Sequence, residues 1–256
     1  MRTNGRKHHA LAWALAAAMA ATICGEVFAQ AGKKVAGPYL RAEIGYSKAR
    51  DAGFVEDNPA APDCFLFSAS GGCGSQLNNL GSSVEYGIGI GYRFNPLFRV
   101  DLSYGSRGNY NLQGWDSAGT YFDPKVSSDS VMLTAFIDIP YKIADRVQPY
   151  VGVAVGRSSN KMDSLNWNDP GPPSSNGTLN AASSKKSTAW QFTLGAAISL
   201  TESWILDLGY RYSDMGEFQK DAGPDQAGNF NGTGFTSSAT GKLRANEFFA
   251  GVRYDF

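Results

Sequence analysis

The residues whose types and spacing could support chemistry are charged side chains that recur at alternate positions along short stretches of the chain. They carry both signs: Arg41, Glu43, Glu85, Arg93, Arg99, Asp101, Asp138, Asp207, Arg211, Glu247 and Arg253. A positioned carboxylate such as Glu43 or Glu85 could serve as a general acid or base. Carboxylates and guanidinium groups that share a buried face instead pair with each other. Because both signs are mixed throughout the set, we favour an ion-pair network over catalysis.

The amino-terminal segment has the layout of a cleavable secretory signal peptide. A basic start and an apolar run over residues 10–24 precede small residues, which favour a cut after residue 29 or, alternatively, after residue 31. We therefore predict a signal peptide over 1–29 and a single domain over 30–256.

Removal of this segment also decides which reactive side chains remain. Both histidines, His8 and His9, and one of the three cysteines, Cys24, lie within it. Without histidine, the usual nucleophile–histidine arrangements lack their base, and there is no imidazole for a metal. We therefore expect no enzyme, no metal and no cofactor. The remaining Cys64 and Cys73 lie in a Gly/Ser-rich stretch of an exported chain and predict a disulfide.

Composition excludes two further classes of protein. The 23 Lys and Arg residues balance 23 Asp and Glu residues, so the chain has no basic footprint for nucleic acid. Mean hydropathy is −0.27, and beyond the first thirty residues no apolar run approaches the roughly 20 residues of a membrane-spanning helix. A membrane β-barrel remains open, because its alternating strands average to a hydrophilic value.

Alternation with a period of two predicts strands along the whole remaining chain. Each run places Val, Ile, Leu or aromatic residues on one face and Gly, polar or charged residues on the other. The eight predicted strands are about 38–47, 83–94, 98–107, 129–139, 147–157, 188–200, 204–213 and 242–256. The connections between them alternate long and short, as in barrels of the outer membrane.

We therefore predict an all-β fold, an eight-stranded antiparallel up-and-down transmembrane β-barrel. Short turns and both termini would face the periplasm, and four long loops would lie outside. The apolar face would contact lipid, and the charged face would fill the interior. Lipid cannot hydrogen-bond a free strand edge, so the first and last strands must pair. The runs GIGIG at 87–91 and GVAVG at 152–156 lack the spacing of a nucleotide site and would leave room for long charged side chains.

Several stretches resemble one family of membrane barrels. GPYLRAEIGYS, GIGIGYRF, QPYVGVAVG, LDLGYRYSDMG and the terminal FFAGVRYDF are similar to stretches of the eight-stranded opacity-type outer-membrane proteins, a porin-labelled family related in architecture to outer membrane protein A. The resemblance implies a monomeric barrel in the outer membrane of Gram-negative bacteria. Val252, Tyr254 and Phe256 resemble the signal read by the barrel-assembly machinery, which makes that machinery an expected partner.

The functional prediction is a structural and surface-interaction protein whose barrel anchors external loops. Outer-membrane lipid and an extracellular ligand of the loops are its expected partners. The alternative is a small-solute or ion channel, although an eight-stranded barrel is only just wide enough for side chains to fill it. A lipid-modifying enzyme is a weaker alternative, because the usual base is absent.

Overall fold

The computed structural model of the chain contains eight long antiparallel strands. They are β1 (Gly37–Ala49), β2 (Ser82–Arg93), β3 (Phe98–Asn111), β4 (Lys125–Asp138), β5 (Val147–Met162), β6 (Ser183–Ser199), β7 (Trp204–Lys220) and β8 (Ala239–Asp255). The structure describes residues 36–56, 65–67, 73–75, 79–112, 114–115, 121–122, 124–141, 143, 146–163, 165–168, 177–179, 182–221 and 238–256. No helix long and apolar enough to cross a membrane occurs in this described part of the chain. The predicted signal peptide lies outside it.

The strands form one closed barrel in chain order. Each strand pairs with its sequence neighbour, and β1 pairs with β8 from Tyr39↔Asp255 to Ala49↔Ala245. The predicted fold class and closure are therefore confirmed. Closure leaves every strand in the membrane with a hydrogen-bonding partner on both sides, as a medium without water requires.

Short polar turns connect the strands at one end of the barrel. Between β2 and β3, the side-chain oxygen of Asn95 accepts hydrogen bonds from the backbone N–H groups of Leu97 and Phe98, both at 2.8 Å. Between β6 and β7, the Thr201 hydroxyl accepts one from the Trp204 N–H at 2.9 Å. Asn and Thr favour such turns because their side chains replace backbone partners locally.

The two faces of each strand differ as the alternation predicts. Apolar side chains on the outer face are exposed, among them Ile90 at 60% and Val155 at 63%. Polar side chains on the inner face are buried, among them Asp101 at 1% and Thr134 at 3%. The apolar belt therefore faces lipid, which solvates it, and the polar face forms the interior.

The strands extend further at the loop end than predicted. The predicted sixth strand begins near residue 188 and the seventh ends near 213, whereas β6 begins at Ser183 and β7 ends at Lys220. Beyond the apolar belt the outer face no longer contacts lipid, so polar residues replace the apolar ones on that face. The hydrophobic alternation that revealed the strands stops at the belt.

Further β-structure occurs where only long loops were predicted. Gly114–Trp115, Tyr121–Phe122, Leu165–Asn168 and Gly177–Leu179 form a four-stranded sheet that joins the second and third long connections. Val55–Glu56 pairs with the loop end of β8. The described parts of the connections are thus partly ordered by backbone pairing.

Candidate functional site

A network of ion pairs crosses the centre of the barrel interior. Arg107 Nε lies 2.6 Å from Glu247 Oε1, and Arg107 Nη2 lies 3.4 Å from Glu85 Oε1. Arg211 Nη1 lies 2.6 Å from the same Glu85 oxygen, and Arg211 Nη2 lies 2.8 Å from Glu43 Oε1. Five strands contribute one residue each, so the network ties together opposite walls of the barrel.

Strand register brings these residues together. Glu85 lies directly opposite Arg107 across β2 and β3, and Arg211 lies opposite Glu247 across β7 and β8. Cross-strand neighbours on one face are within side-chain reach. Glycine provides the remaining space, because a Cβ atom at Gly87 would lie 2.8 Å from Glu43 Cγ.

Hydroxyl groups complete the coordination of Glu247. Its Oε1 accepts a hydrogen bond from the Ser47 hydroxyl at 2.9 Å, and its Oε2 accepts one from Ser213 at 2.7 Å. Ser47 is also hydrogen-bonded to the Tyr110 hydroxyl at 2.6 Å. A fully buried carboxylate is thus surrounded by donors, which offsets its desolvation.

A second group of ion pairs lies on the turn side of this network. Arg41 bridges to it, with Nη1 2.8 Å from Glu43 Oε2 and Nε 2.8 Å from Asp101 Oδ2. Arg99 Nε lies 3.1 Å from Asp138 Oδ1.

The remaining predicted residues lie near the turn end of the barrel. Arg93 Nη2 is 3.2 Å from Asp255 Oδ2, and Arg253 Nη1 is 3.8 Å from Asp207 Oδ2. Every charged residue of the predicted set therefore lies in an ion pair within the interior.

Two ionic partners were missed from the sequence. Arg107 and Asp255 both continue the inward-facing alternation of their strands, at the end of the predicted third strand and near the end of the last one. The same period that identified Arg99 and Asp101 also identifies Arg107, provided the strand is followed past the apolar belt.

Aromatic side chains also lie inside the barrel, and of these Phe136 and Phe249 were missed from the sequence. The Arg99 guanidinium carbon lies 4.0 Å from the ring centre of Phe136 and 4.7 Å from that of Tyr150. The Arg211 guanidinium carbon lies 4.6 Å from the Phe249 ring centre. These rings contribute cation–π contacts and fill volume between the charges.

An apolar layer closes the interior on the loop side of the ion pairs. The Phe54 and Phe218 rings are stacked with centres 5.5 Å apart and an interplanar angle of 8°. Other members, all fully buried, are Leu80, Leu112, Val126, Met162, Met215 and Leu243. Several of them lie outside the predicted strands, so the alternation gave no signal for this layer.

The loop end of β7 bends toward β5 to form part of this layer. A register shift separates Asp214 from Glu217, and Gly216 has a φ of 74°, which favours glycine. The Asn160 side-chain amide donates hydrogen bonds to the carbonyl oxygens of Met215 and Glu217, both at 2.8 Å. Beyond the belt, the Lys185 ammonium lies 2.8 Å from Glu217 Oε2 and lowers the pKa of that carboxyl.

The packing leaves almost no room for water around the central charges. Relative exposure is 1% for Arg99 and Arg107, 2% for Arg253 and 0% for Glu247. Side chains that line an aqueous channel are accessible to water. These side chains are not, so the described interior is filled.

Two other predicted sites have different outcomes. Cys64 lies outside the described residues, and for Cys73 only the backbone pairing with Phe67 is described. The disulfide therefore stays a prediction. Val252 faces lipid with 43% exposure, and Phe256 directly follows β8, which ends at Asp255. The role of this end in assembly also stays a prediction.

Comparison with known proteins identifies the family. Residues 13–256 match the family described as "Outer membrane protein beta-barrel domain". The chain belongs to this outer-membrane barrel family. It is therefore a bacterial outer-membrane protein, in agreement with the predicted location and with the resemblance carried by its strand sequences.

Relatives and a solved structure agree with the family. An uncharacterised protein of Brucella abortus is 29% identical over 210 residues, which cover 70% of this chain and 68% of that protein. Outer membrane protein PagN of Salmonella typhimurium is 26% identical over 182 residues, covering 66% of this chain and 72% of PagN. The crystal structure of OprG from Pseudomonas aeruginosa is 14% identical, has a TM-score of 0.55, and is matched over 87% of this chain and 97% of OprG. This last likeness concerns the fold.

Proposed function

We propose that this protein is a non-conducting outer-membrane barrel of structural and surface-interaction type, whose rigid wall presents the external connections. The observation that carries the proposal is the near-complete burial of the central charges, with Arg107 at 1% and Glu247 at 0% exposure. The side chains that would line a channel instead occupy its volume. The barrel would act as a single-chain anchor.

The energetics of the interior support a closed lumen. An ion that crossed the barrel would first pass the apolar layer around Phe218, where it would lose its hydration without gaining a partner. It would then have to displace ion pairs such as Arg211–Glu43, which are already made at 2.8 Å. The mixed charges therefore act as a plug rather than as a selectivity filter.

The loop side supports a surface role. β7 continues past the apolar belt as far as Lys220, and β8 begins beyond the belt at Ala239. The four-stranded sheet of Gly114–Trp115, Tyr121–Phe122, Leu165–Asn168 and Gly177–Leu179 joins two separate connections. Paired backbone gives a binding surface a defined shape at a lower ordering cost. We assign the binding of an extracellular ligand to these connections.

The same contacts argue against catalysis by the interior carboxylates. Glu43 Oε2 lies 2.8 Å from Arg41 Nη1, and Glu85 is 1% exposed. A general acid or base must reach its substrate within hydrogen-bond distance. Ion pairing is therefore the role we assign to both residues.

Single-channel conductance in a planar bilayer tests the proposal against the channel alternative. The folded protein is identified by its heat-dependent electrophoretic migration and inserted into the bilayer. An Arg107→Ser/Phe218→Gly variant is measured in parallel, because it removes one side chain from the ion-pair network and one from the apolar layer. We expect no steps from the wild type and steps from the variant. Reproducible wild-type steps whose size or ion selectivity changes in Arg211→Gln would refute the proposal and establish a channel.

A further inference from the structure

Two cations face outward just beyond the lipid-contacting belt on neighbouring strands. On β5 and β6, Val155 lies opposite Trp190, and both are exposed apolar residues of the belt. The next outward position on β5 is Arg157, which lies opposite Thr188, and the following outward position on β6 is Lys186. Arg157 and Lys186 are both exposed.

These cations lack an acidic partner within the described residues. The carboxylates on the flanking strands have other partners: on β7, Asp214 lies 3.2 Å from Arg244 Nε and Glu217 lies 2.8 Å from Lys185 Nζ. On β4, Asp129 Oδ1 accepts hydrogen bonds from the Tyr104 and Ser106 hydroxyls, both at 2.9 Å. Its Oδ2 lies 3.5 Å from the Lys161 ammonium. Thus Lys161 has a counter-charge within the protein, whereas Arg157 and Lys186 present their positive charges to the surroundings.

Their height places them at the membrane interface. A strand rises about 3.4 Å per residue, so Arg157 lies about 7 Å along its strand from Val155. Tryptophan favours the interface, which places Trp190 at the boundary of the hydrocarbon region. At the membrane interface, the anionic group available to two unpaired cations is the headgroup of a lipid.

We infer that Arg157 and Lys186 form a binding site for a phosphate group on a lipid headgroup of the outer leaflet. The two residues are diagonal neighbours across the β5–β6 pair, a separation of about 7–8 Å that long side chains can bridge. Arginine supplies a planar fork of donors for phosphate oxygens, and lysine supplies a flexible point charge. Thr188, which is exposed and lies directly opposite Arg157 on β6, offers a hydroxyl on the same outward face as a further donor.

The test is native mass spectrometry of the full processed chain in detergent, titrated with a bis-phosphorylated diglucosamine lipid. The same lipid without phosphates and inorganic phosphate serve as separate probes. We expect the phosphorylated lipid to bind, the dephosphorylated lipid to bind at least tenfold more weakly, and inorganic phosphate to leave no retained adduct. In Arg157→Ala/Lys186→Ala, affinity for the phosphorylated lipid should fall about thirtyfold, since each interfacial cation contributes about 1 kcal/mol.

The matched control is Lys161→Ala, which removes an outward cation from the same strand that is already paired with Asp129. It should bind like the wild type, and Arg157→Lys should retain most of the affinity. Any of three results would overturn the inference. They are equal binding of both lipids, undiminished binding by the double variant, and a loss of affinity in Lys161→Ala as large as that in the double variant. Heat-dependent migration checks the fold of every variant, and Arg157→Gln/Lys186→Gln replaces the alanine variant if that one does not fold.

Discussion

Replacement of Arg107 by alanine should cause a large loss of stability. Arg107 is 1% exposed and donates to both oxygens of Glu247, at 2.6 and 3.0 Å, and to the Ser130 hydroxyl at 3.2 Å. Removing one partner of a buried pair costs about 3–5 kcal/mol, because the remaining charge is left uncompensated. Arg211 Nη1 stays 3.7 Å from Glu247 Oε2 and supplies part of the lost compensation. We therefore expect the free energy of unfolding to fall by about 3 kcal/mol, the low end of that range.

The assay is urea unfolding of the protein in lipid vesicles, followed by tryptophan fluorescence and by heat-dependent migration. Lys185→Ala is the control, because its pair with Glu217 is partly exposed to solvent and exposed ion pairs contribute only about 0–1 kcal/mol. The double variant Arg107→Met/Glu247→Gln should lose less than the sum of its single variants, since contacting residues couple. An Arg107→Ala barrel within about 0.5 kcal/mol of the wild type would refute the assignment of a buried network, because changes of that size are typical of surface positions.

Three further predictions concern packing, the β7 bend and assembly. Gly87→Val should destabilise the barrel by about 1–3 kcal/mol through overpacking against Glu43, while Gly105→Ala, with its nearest neighbours at 3.4 Å, should be far milder in the same urea assay. Asn160→Ala should cost about 1–3 kcal/mol, because it removes two hydrogen bonds to the bend and takes the acceptor Asn160 Oδ1 from the buried Ser128 hydroxyl. The carbonyls of Met215 and Glu217 keep hydrogen bonds from the Ser158 and Ser187 hydroxyls, and an unchanged unfolding midpoint would count against a role for Asn160. Deletion of Phe256 should lower the folded fraction in isolated outer membranes relative to Phe256→Tyr, and equal folded fractions would remove the assembly role.

Much of the fold could be predicted because the membrane imposes a strict pattern. Along β2, Tyr86, Ile88 and Ile90 face lipid while Glu85 and the intervening glycines face inward, and nothing but alternation is needed to find the strand. Closure followed from the same physics, because an open edge has no partner in lipid. The predicted interior charges followed from their position opposite the apolar face.

The remainder could not be read from alternation. β5 continues through residues 158–162 in a mostly polar sequence that a loop could equally adopt, so strand pairing rather than hydrophobicity defines this part of the strand. Phe136 and Phe249 point inward although aromatic residues most often mark the lipid face, and only the space beside Gly152 and Gly209 makes this packing feasible. Partner choice among the charges depends on distances across the barrel, which a one-dimensional pattern does not contain.

The central claim, that the interior is closed to water, is tested most directly by thiol accessibility. A cysteine in place of Thr134, an inward-facing residue with 3% exposure, is compared with one in place of Glu202 in the exposed β6–β7 turn, with Cys64 and Cys73 replaced by serine. A water-soluble maleimide should modify Glu202→Cys rapidly and Thr134→Cys only after unfolding. Modification of the folded Thr134→Cys barrel at a rate near that of Glu202→Cys would contradict a closed interior.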